Sequence, residues 1–310
     1  MSMTQNKPLD LAALLDHRDP QSILNEVLLI WKQIYPTENT DKIFAAWAWT
    51  VRLYRGEVAG YAACRTEYHD LQHATDTTLA LMRMIHGAAR FGIAVPAAIA
   101  QISIAAALLH DAGFIQNAKD VQGTGAKHTK VHVQRSQMFF QLFTAAHQWS
   151  TEELSLGCRL IDCTDLAIEP EKVDFPEAAS ALTARMLAAA DLWAQMADRV
   201  YLEKLLFLFF ELREGGINVF LDEEDLLTKT PDFYALVEQR LRLLAPVIDG
   251  FLTIHFRERW NIEGNLYRQG IERQRAYLEK IMKVATDFPS RHLRRDGIVD
   301  RVKAHFSTVS

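Results

Sequence analysis

The chain has 310 residues, 49% of them hydrophobic and 24% charged, with a net charge of −5. That is enough material for one large domain or two small ones with a substantial core, and it provides no overall positive field to hold a nucleic-acid polymer. The three cysteines, Cys64, Cys158 and Cys163, form no Cys-x-x-Cys pair, and an odd number argues against a disulfide framework.

Residues 1–8 lack the apolar stretch of a secretion signal, and no run is expected to reach the roughly 18 apolar residues of a membrane span. The longest apolar run, residues 205–210, sits between Lys204 and Glu211 and reads as a helix core segment. A cytoplasmic protein without a membrane partner is expected. In chain order, residues 22–35 place Ile23, Val27, Leu28 and Trp31 on one helical stripe that ends at Pro36. Asp41 is the expected cap of a helix running through Tyr54. Residues 71–91 carry Leu79, Met82 and Ile85 at helical spacing. Pro96 falls in the first turn of the next helix, where its missing N–H does no harm, and that helix runs to His110-Asp111 and stops near Gly113. Residues 112–127 read as a loop punctuated by Gly123-Thr124-Gly125. Helices are expected again over about 129–148, 151–162 and 177–214, with Gly215-Gly216 breaking the last. Thr230-Pro231-Asp232 should open another that reaches about Arg259, and a final charged helix should cover about 263–285. No segment alternates with the period of two that a half-buried strand needs. A single all-α domain over 1–310 is therefore expected, with a core of about 65–215 and peripheral helices over 9–60 and 216–310.

Three stretches carry chemistry. His69 and His73 lie four apart, so on a helix they address one cleft. His110-Asp111 closes an apolar run in which an isolated carboxylate would cost several kcal/mol unless it were paired or bound to a cation. These two residues reach one ion only if it lies against the helix end, which is where they fall. Asp191 follows three alanines, which leave room for a metal to approach its helix. Imidazole suits zinc, iron or manganese, and carboxylates suit harder ions such as magnesium. Histidine, then His-Asp, then Asp points to metal-assisted hydrolysis.

This order resembles the HD superfamily of metal-dependent phosphohydrolases, and within it the cyclic nucleotide phosphodiesterases. The likeness rests on Tyr68-His69-Asp70-Leu71-Gln72-His73, on Ala107-Leu108-Leu109-His110-Asp111, on Cys163-Thr164-Asp165-Leu166 and on Ala189-Ala190-Asp191-Leu192. It implies an HD-type helical bundle holding two divalent ions (Zn, Mg, Mn or Fe). His73, His110, Asp111 and Asp191 would bind the first ion, Asp111 would bridge to the second, and His69 would be the general acid. The substrate implied is a nucleotide, cyclic or linear, or a similar small phosphoester. There are departures: phosphodiesterases carry a further His where Phe114 stands and Asn where Asp70 stands, and no segment matching their purine-clamping glutamine is found. Residues 123–136 instead resemble the segment after the doublet in uncharacterised bacterial HD proteins, which makes His132 and His128 candidates for the second ion.

Blander readings stand beside these. His86, His147 and His255 read as hydrogen-bonded core histidines. Asp165 either lines the pocket or caps a helix. Gly123-Thr124-Gly125 lacks the Gly-Lys-Ser/Thr ending of a phosphate loop and reads as a turn, while Lys127, Lys130 and Arg135 read as a solvated face. The short basic group Arg291, His292, Arg294 and Arg295 also reads as solvated surface. Phe207, Phe209, Phe210, Phe220 and Phe233 read as core, with one ring able to stack on a base. Two rival functions remain open: an HD-type di-iron oxygenase, and a non-catalytic binding module in which the ion only staples helices, towards which Phe114 leans. A homodimer through the apolar helices near both ends is likewise left open.

Overall fold

Asp19 accepts hydrogen bonds from the amides of Gln21 and Ser22 ahead of Pro20, and so starts α1 (Pro20–Ile34) with its orphan amides satisfied. A computed structural model describes residues 10–244, 247–283 and 292–306. Among these residues are twelve α-helices and no strand beyond the isolated bridge between Tyr61 and Asn117. The chain is all-helical. After α1 come α2 (Asp41–Tyr54), α3 (Leu71–Phe91), α4 (Ala97–Leu109), α5 (His132–Ala146) and α6 (Thr151–Asp162). Then follow α7 (Ala178–Ala197), α8 (Tyr201–Glu214), α9 (Glu223–Leu244), α10 (Ile248–Trp260), α11 (Leu266–Met282) and α12 (Ile298–Phe306).

Several boundaries differ from the sequence expectation for identifiable reasons. Asp41 is the first helical residue of α2, and its N-cap, Thr40, makes no side-chain capping bond. Pro96 is the N-cap of α4, which closes at Leu109 so that His110 becomes its C-cap. Residues 112–131 contain two short 3-10 turns, Ala112–Phe114 and Ala126–Val131, and α5 begins only at His132. The expected helix over 177–214 is two helices, because the chain turns at Asp198 (ψ 135°), whose carboxylate accepts the amide of Val200. Pro231 lies inside α9, which starts seven residues earlier than expected. There the Thr230 hydroxyl bonds back to the Leu226 carbonyl. The same expectation ran the helix on to Arg259, whereas α9 ends at Leu244 and α10 follows as a separate helix. Residues 1–8, Ala285 and Arg291, which entered the sequence argument, lie outside the described residues.

The centre of the molecule is α3, which packs against α1, α4, α7 and α10. Fifteen of its 21 residues are buried, polar ones included, so α3 is enclosed on nearly every side. α4 is apolar all round and is likewise enclosed. Residues Ala97–Phe114 are apolar enough in length and composition to pass for a membrane span, contrary to the sequence expectation, but 83% of that window is buried inside the protein. A second apolar cluster, built from α8, α9, α11 and α12, abuts the first along α7, where Ala190 belongs to one and Leu192 to the other. The candidate site lies on this seam.

Close approach of helices is enforced where the backbones touch. A Cβ added to Gly87 on α3 would fall 1.8 Å from the carbonyl oxygen of Phe251 on α10. Backbone on backbone leaves no flexible side chain to yield. Gly87→Ala is therefore expected to lose about 1–3 kcal/mol of stability, as overpacked cores do, read as a lower urea midpoint with an unchanged slope. A midpoint equal to that of the natural protein would show that α3 and α10 can separate freely.

Candidate metal centre

Asp70 caps α3 by accepting the amide of His73, which fixes the first turn of the helix and aims the His73 ring across it. His110 and Asp111 leave the end of α4, and Asp191 comes from the middle of α7. These elements bring four side-chain atoms together. His73 Nε2 lies 3.2 Å from His110 Nε2, 3.2 Å from Asp111 Oδ2 and 3.0 Å from Asp191 Oδ1. His110 Nε2 lies 3.3 Å from Asp111 Oδ2 and 3.4 Å from Asp191 Oδ1. Metal–ligand bonds of ~2.1 Å put neighbouring ligands ~3.0 Å apart in octahedral and ~3.4 Å apart in tetrahedral arrangements. The observed separations span that interval. His73, His110 and Asp111 form a buried group that could hold a metal ion.

The protonation chemistry agrees. His110 Nδ1 donates to the Ala107 carbonyl at 2.8 Å, which turns Nε2 toward the group, as metal-bound histidines are commonly oriented. Burial alone would discourage charge on His73 and His110, yet hydrogen bonds and the charges of Asp111 and Asp191 raise both above the ordinary imidazole value, His110 well above. In the same way burial opposes ionisation of Asp111 and Asp191, and the histidines outweigh it, holding both carboxyls well below their usual range. Two Nε2 atoms 3.2 Å apart cannot each point a proton at the other. A cation held by His73, His110 and Asp111 would remove the conflict and would compete with those protons.

Around this group are residues that the sequence did not single out. Gln195, one turn beyond Asp191, donates to Asp191 Oδ1 at 3.0 Å, lies 2.9 Å from His73 Nε2, and accepts from the Tyr68 hydroxyl at 2.7 Å. Glu211 on α8 accepts the amides of Glu67 and Tyr68 on one oxygen and His69 Nδ1 on the other, each at 2.8 Å. Lys204 and Glu211, which flank the apolar run 205–210, both turn inward. Glu211 is 3% exposed, and Lys204 turns in to pair with Asp198 at 3.1 Å. Burial opposes a charge on His69, but the bond to Glu211 and the charges of Asp111 and Glu211 prevail, so its pKa is raised.

Phe114 forms a flat plate between His69 (centroids 4.4 Å apart, planes at 16°) and His132 (4.8 Å, 18°). His132 Nε2 lies 3.8 Å from Asp111 Oδ1, the oxygen turned away from His73 and His110, and its Nδ1 donates to the Thr129 carbonyl. The start of α5 reaches this position because Gly113 has no side chain: a Cβ there would fall 1.9 Å from the His132 carbonyl oxygen. Arg135 locks the approach by donating to the carbonyls of Gly113 and Ile115, both at 2.7 Å. His128 stands apart from this group; the charges it senses are those of Arg135, Lys127, Asp120 and Glu214. Lys127 bonds to Asp120 and Lys130 to the Gly216 carbonyl, so with Arg135 these cations serve the loop itself. The turn at Gly123-Thr124-Gly125 gathers the amides of Thr124, Gly125 and Lys127 around the Glu214 carboxylate, an anion nest filled by the protein's own side chain.

The group opens on a cavity of about 510 Å³ whose polar end includes His69, Asp111, His132 and Asp191. Asp165 lines this cavity; it caps no helix, and its carboxylate instead accepts the Ala167 amide within a turn. Phe220 and Phe233 line it as well, whereas Phe207 and Phe209 are core. Asp198 and Arg199 sit outside this cavity, on another face of the α7–α8 turn.

An all-helical protein with a buried His–His–Asp group beside the polar end of a cavity is the class that fold and site define. A family model described as Npun_R2479-like matches residues 23–242, a span that includes all the residues of the site, and the chain belongs to that family. No curated protein matches it significantly.

Proposed function

We propose that the protein is a metal-dependent phosphohydrolase of the HD type acting on a small phosphoester. The observation that carries this reading is the set of separations of 3.0–3.4 Å from the Nε2 atoms of His73 and His110 to each other, to Asp111 Oδ2 and to Asp191 Oδ1, beside the polar end of a cavity large enough for a substrate. Together with the His…His-Asp…Asp order, it supports a divalent ion held by those four residues, with Asp111 Oδ1 and His132 on the side where a second would sit. Such ions supply a water of lowered pKa and a clamp for phosphate oxygens. The chain's own groups do the rest. Gln195 holds the Asp191 carboxylate, and the Tyr68 hydroxyl holds Gln195 in turn.

His69, charged and oriented by Glu211 through Nδ1, keeps Nε2 for the leaving group. In the reaction a water oxygen bonds to phosphorus and the phosphorus–oxygen bond to the alcohol breaks. The departing oxygen keeps the electron pair and takes a proton from His69. The attacking water releases one proton to solvent, from which His69 is recharged. Phe114 keeps His69 and His132 parallel and apart, so the acid and the second-ion ligand do not exchange roles.

The test is metal content of protein purified without chelator, with the same sample assayed on bis(p-nitrophenyl) phosphate and on cyclic and linear nucleotides. One or two divalent ions per chain, with turnover that stops on chelation and returns on metal addition, is expected. Two redox-active irons without hydrolysis of any phosphoester would replace this reading with oxygen chemistry. Unfolding on chelation without turnover would leave a metal-stapled binding module.

A further inference from the structure

We propose that the substrate's alcohol portion is an apolar chain, so that the site takes a phosphoester of an amphiphile rather than a nucleotide. This rests on the phosphohydrolase reading and deepens it. Away from its polar end, the cavity wall is built from Leu205, Leu208 and Leu212 of α8, Leu226 and Phe233 of α9, and Ile217 of the loop between them. Apart from Asp165, which accepts the Ala167 amide on one carboxylate oxygen, the neutral side-chain groups on the wall that could read a base or a sugar are already committed to the protein. The hydroxyls of Thr129, Thr164 and Thr230 donate to the carbonyls of Ala126, Ile161 and Leu226. Gln195, the one carboxamide on the wall, is held at its nitrogen by Asp191 and at its oxygen by Tyr68. The Tyr201 hydroxyl has no partner but is closed off from solvent. Lys229 is the one ammonium or guanidinium among the lining residues; it pairs with Asp225 at 2.8 Å and lies over the Phe220 ring. A nucleotide would strip water from a base and a sugar without replacing those hydrogen bonds.

The mouth carries the same chemistry. Leu166 and Val219 line the cavity and are 50% and 63% exposed, so a chain leaving the site stays against apolar surface. Arg240 donates to the carbonyls of Cys163, Asp165, Leu166 and Ile168, which fixes the loop carrying Leu166 against α9. That wall is therefore preformed.

The experiment pairs two homologous series on metal-loaded protein. Methyl-, butyl- and octylphosphonate, which cannot be hydrolysed at the P–C bond, are titrated calorimetrically, and methyl, butyl and octyl phosphates are assayed for turnover beside the nucleotide panel. Affinity is expected to rise about fourfold per methylene, roughly 200-fold from butyl to octyl, as each methylene leaves water. kcat/KM should rise in parallel, and Leu208→Asn should flatten both slopes. Metal-dependent turnover without dependence on chain length, or with nucleotides preferred, would overturn the apolar-chain proposal and leave the hydrolase standing. A steep phosphonate slope with no turnover of any ester would sink the hydrolase and keep the apolar ligand. No slope and no turnover would overturn both.

Discussion

Asp111→Asn is expected to abolish turnover of every phosphoester while leaving the helical content unchanged by circular dichroism. Asp111 is the one side chain with an oxygen on each side of the proposed site: Oδ2 stands 3.2 and 3.3 Å from the two histidine nitrogens, and Oδ1 faces His132 at 3.8 Å. Asparagine preserves the shape but replaces one oxygen with an amide that carries two hydrogens and cannot ligate, and it removes the charge that both ions would share. Removing groups that merely orient metal ligands already weakens binding roughly 10–100-fold, so losing Asp111 should weaken it by about 100-fold or more. Transition-state charge stabilisation by a bound ion amounts to several kcal/mol, which places the loss of turnover at about 1000-fold or beyond. The fold should survive because Asp111 lies between α4 and a single 3-10 turn rather than within a helix interior. Metal content by plasma mass spectrometry separates the causes. A variant that retains its ions and its activity would sink the hydrolase reading.

The residues brought together at the site were legible wherever a chemistry-bearing side chain interrupts an apolar helix. His110-Asp111 and Asp191 stand out because burying an acid is unfavourable, so its presence in such a run demands a partner. α6 starts at Thr151 as expected, where the side chains of Ser150 and Glu153 complete a capping box, whereas Asp41, the cap expected for α2, is that helix's first residue. Glu211 was not legible. At the end of the run 205–210 it has the look of an ordinary solvated flank, and only tertiary packing brings it to His69, 142 residues away. Gln195 was missed for a different reason: its spacing from Asp191 marks a shared helix face, but a neutral amide in a helix raises no energetic alarm. The turn at Asp198 was hidden because good helix formers flank it and no Gly or Pro announces it. Pro231 misled in the opposite sense, since a proline after threonine is a common helix start. Phe114, which stands where the phosphodiesterases carry a further His, stacks between the His69 and His132 rings, a placement that only ring geometry reveals.

Glu211→Gln carries the second large effect, and it tests the proposed acid rather than the metal. The glutamine oxygen can still accept the amides of Glu67 and Tyr68, so the local backbone should hold. Its amide nitrogen, however, would face His69 Nδ1 as a donor and disfavour a proton there. Burial is the largest influence on His69 and lowers its pKa; the bond to Glu211 and the charges of Asp111 and Glu211 reverse it. Without Glu211, two of the three influences that raise the pKa are lost, and it falls. A general acid works only below its own pKa, so the alkaline limb of kcat/KM should move to lower pH in the variant, while any acid limb set by other groups should stay. For alkyl esters, whose alkoxide cannot leave unprotonated, kcat should fall by about 10²–10⁴, the range that general acid catalysis supplies. For p-nitrophenyl esters, whose leaving group needs no proton, the loss should be less than about tenfold, since only positioning is disturbed. The ratio of the two losses distinguishes an acid from a structural histidine. Equal losses on both esters, with an unmoved alkaline limb, would make His69 and Glu211 a packing pair and pass the proton to another donor.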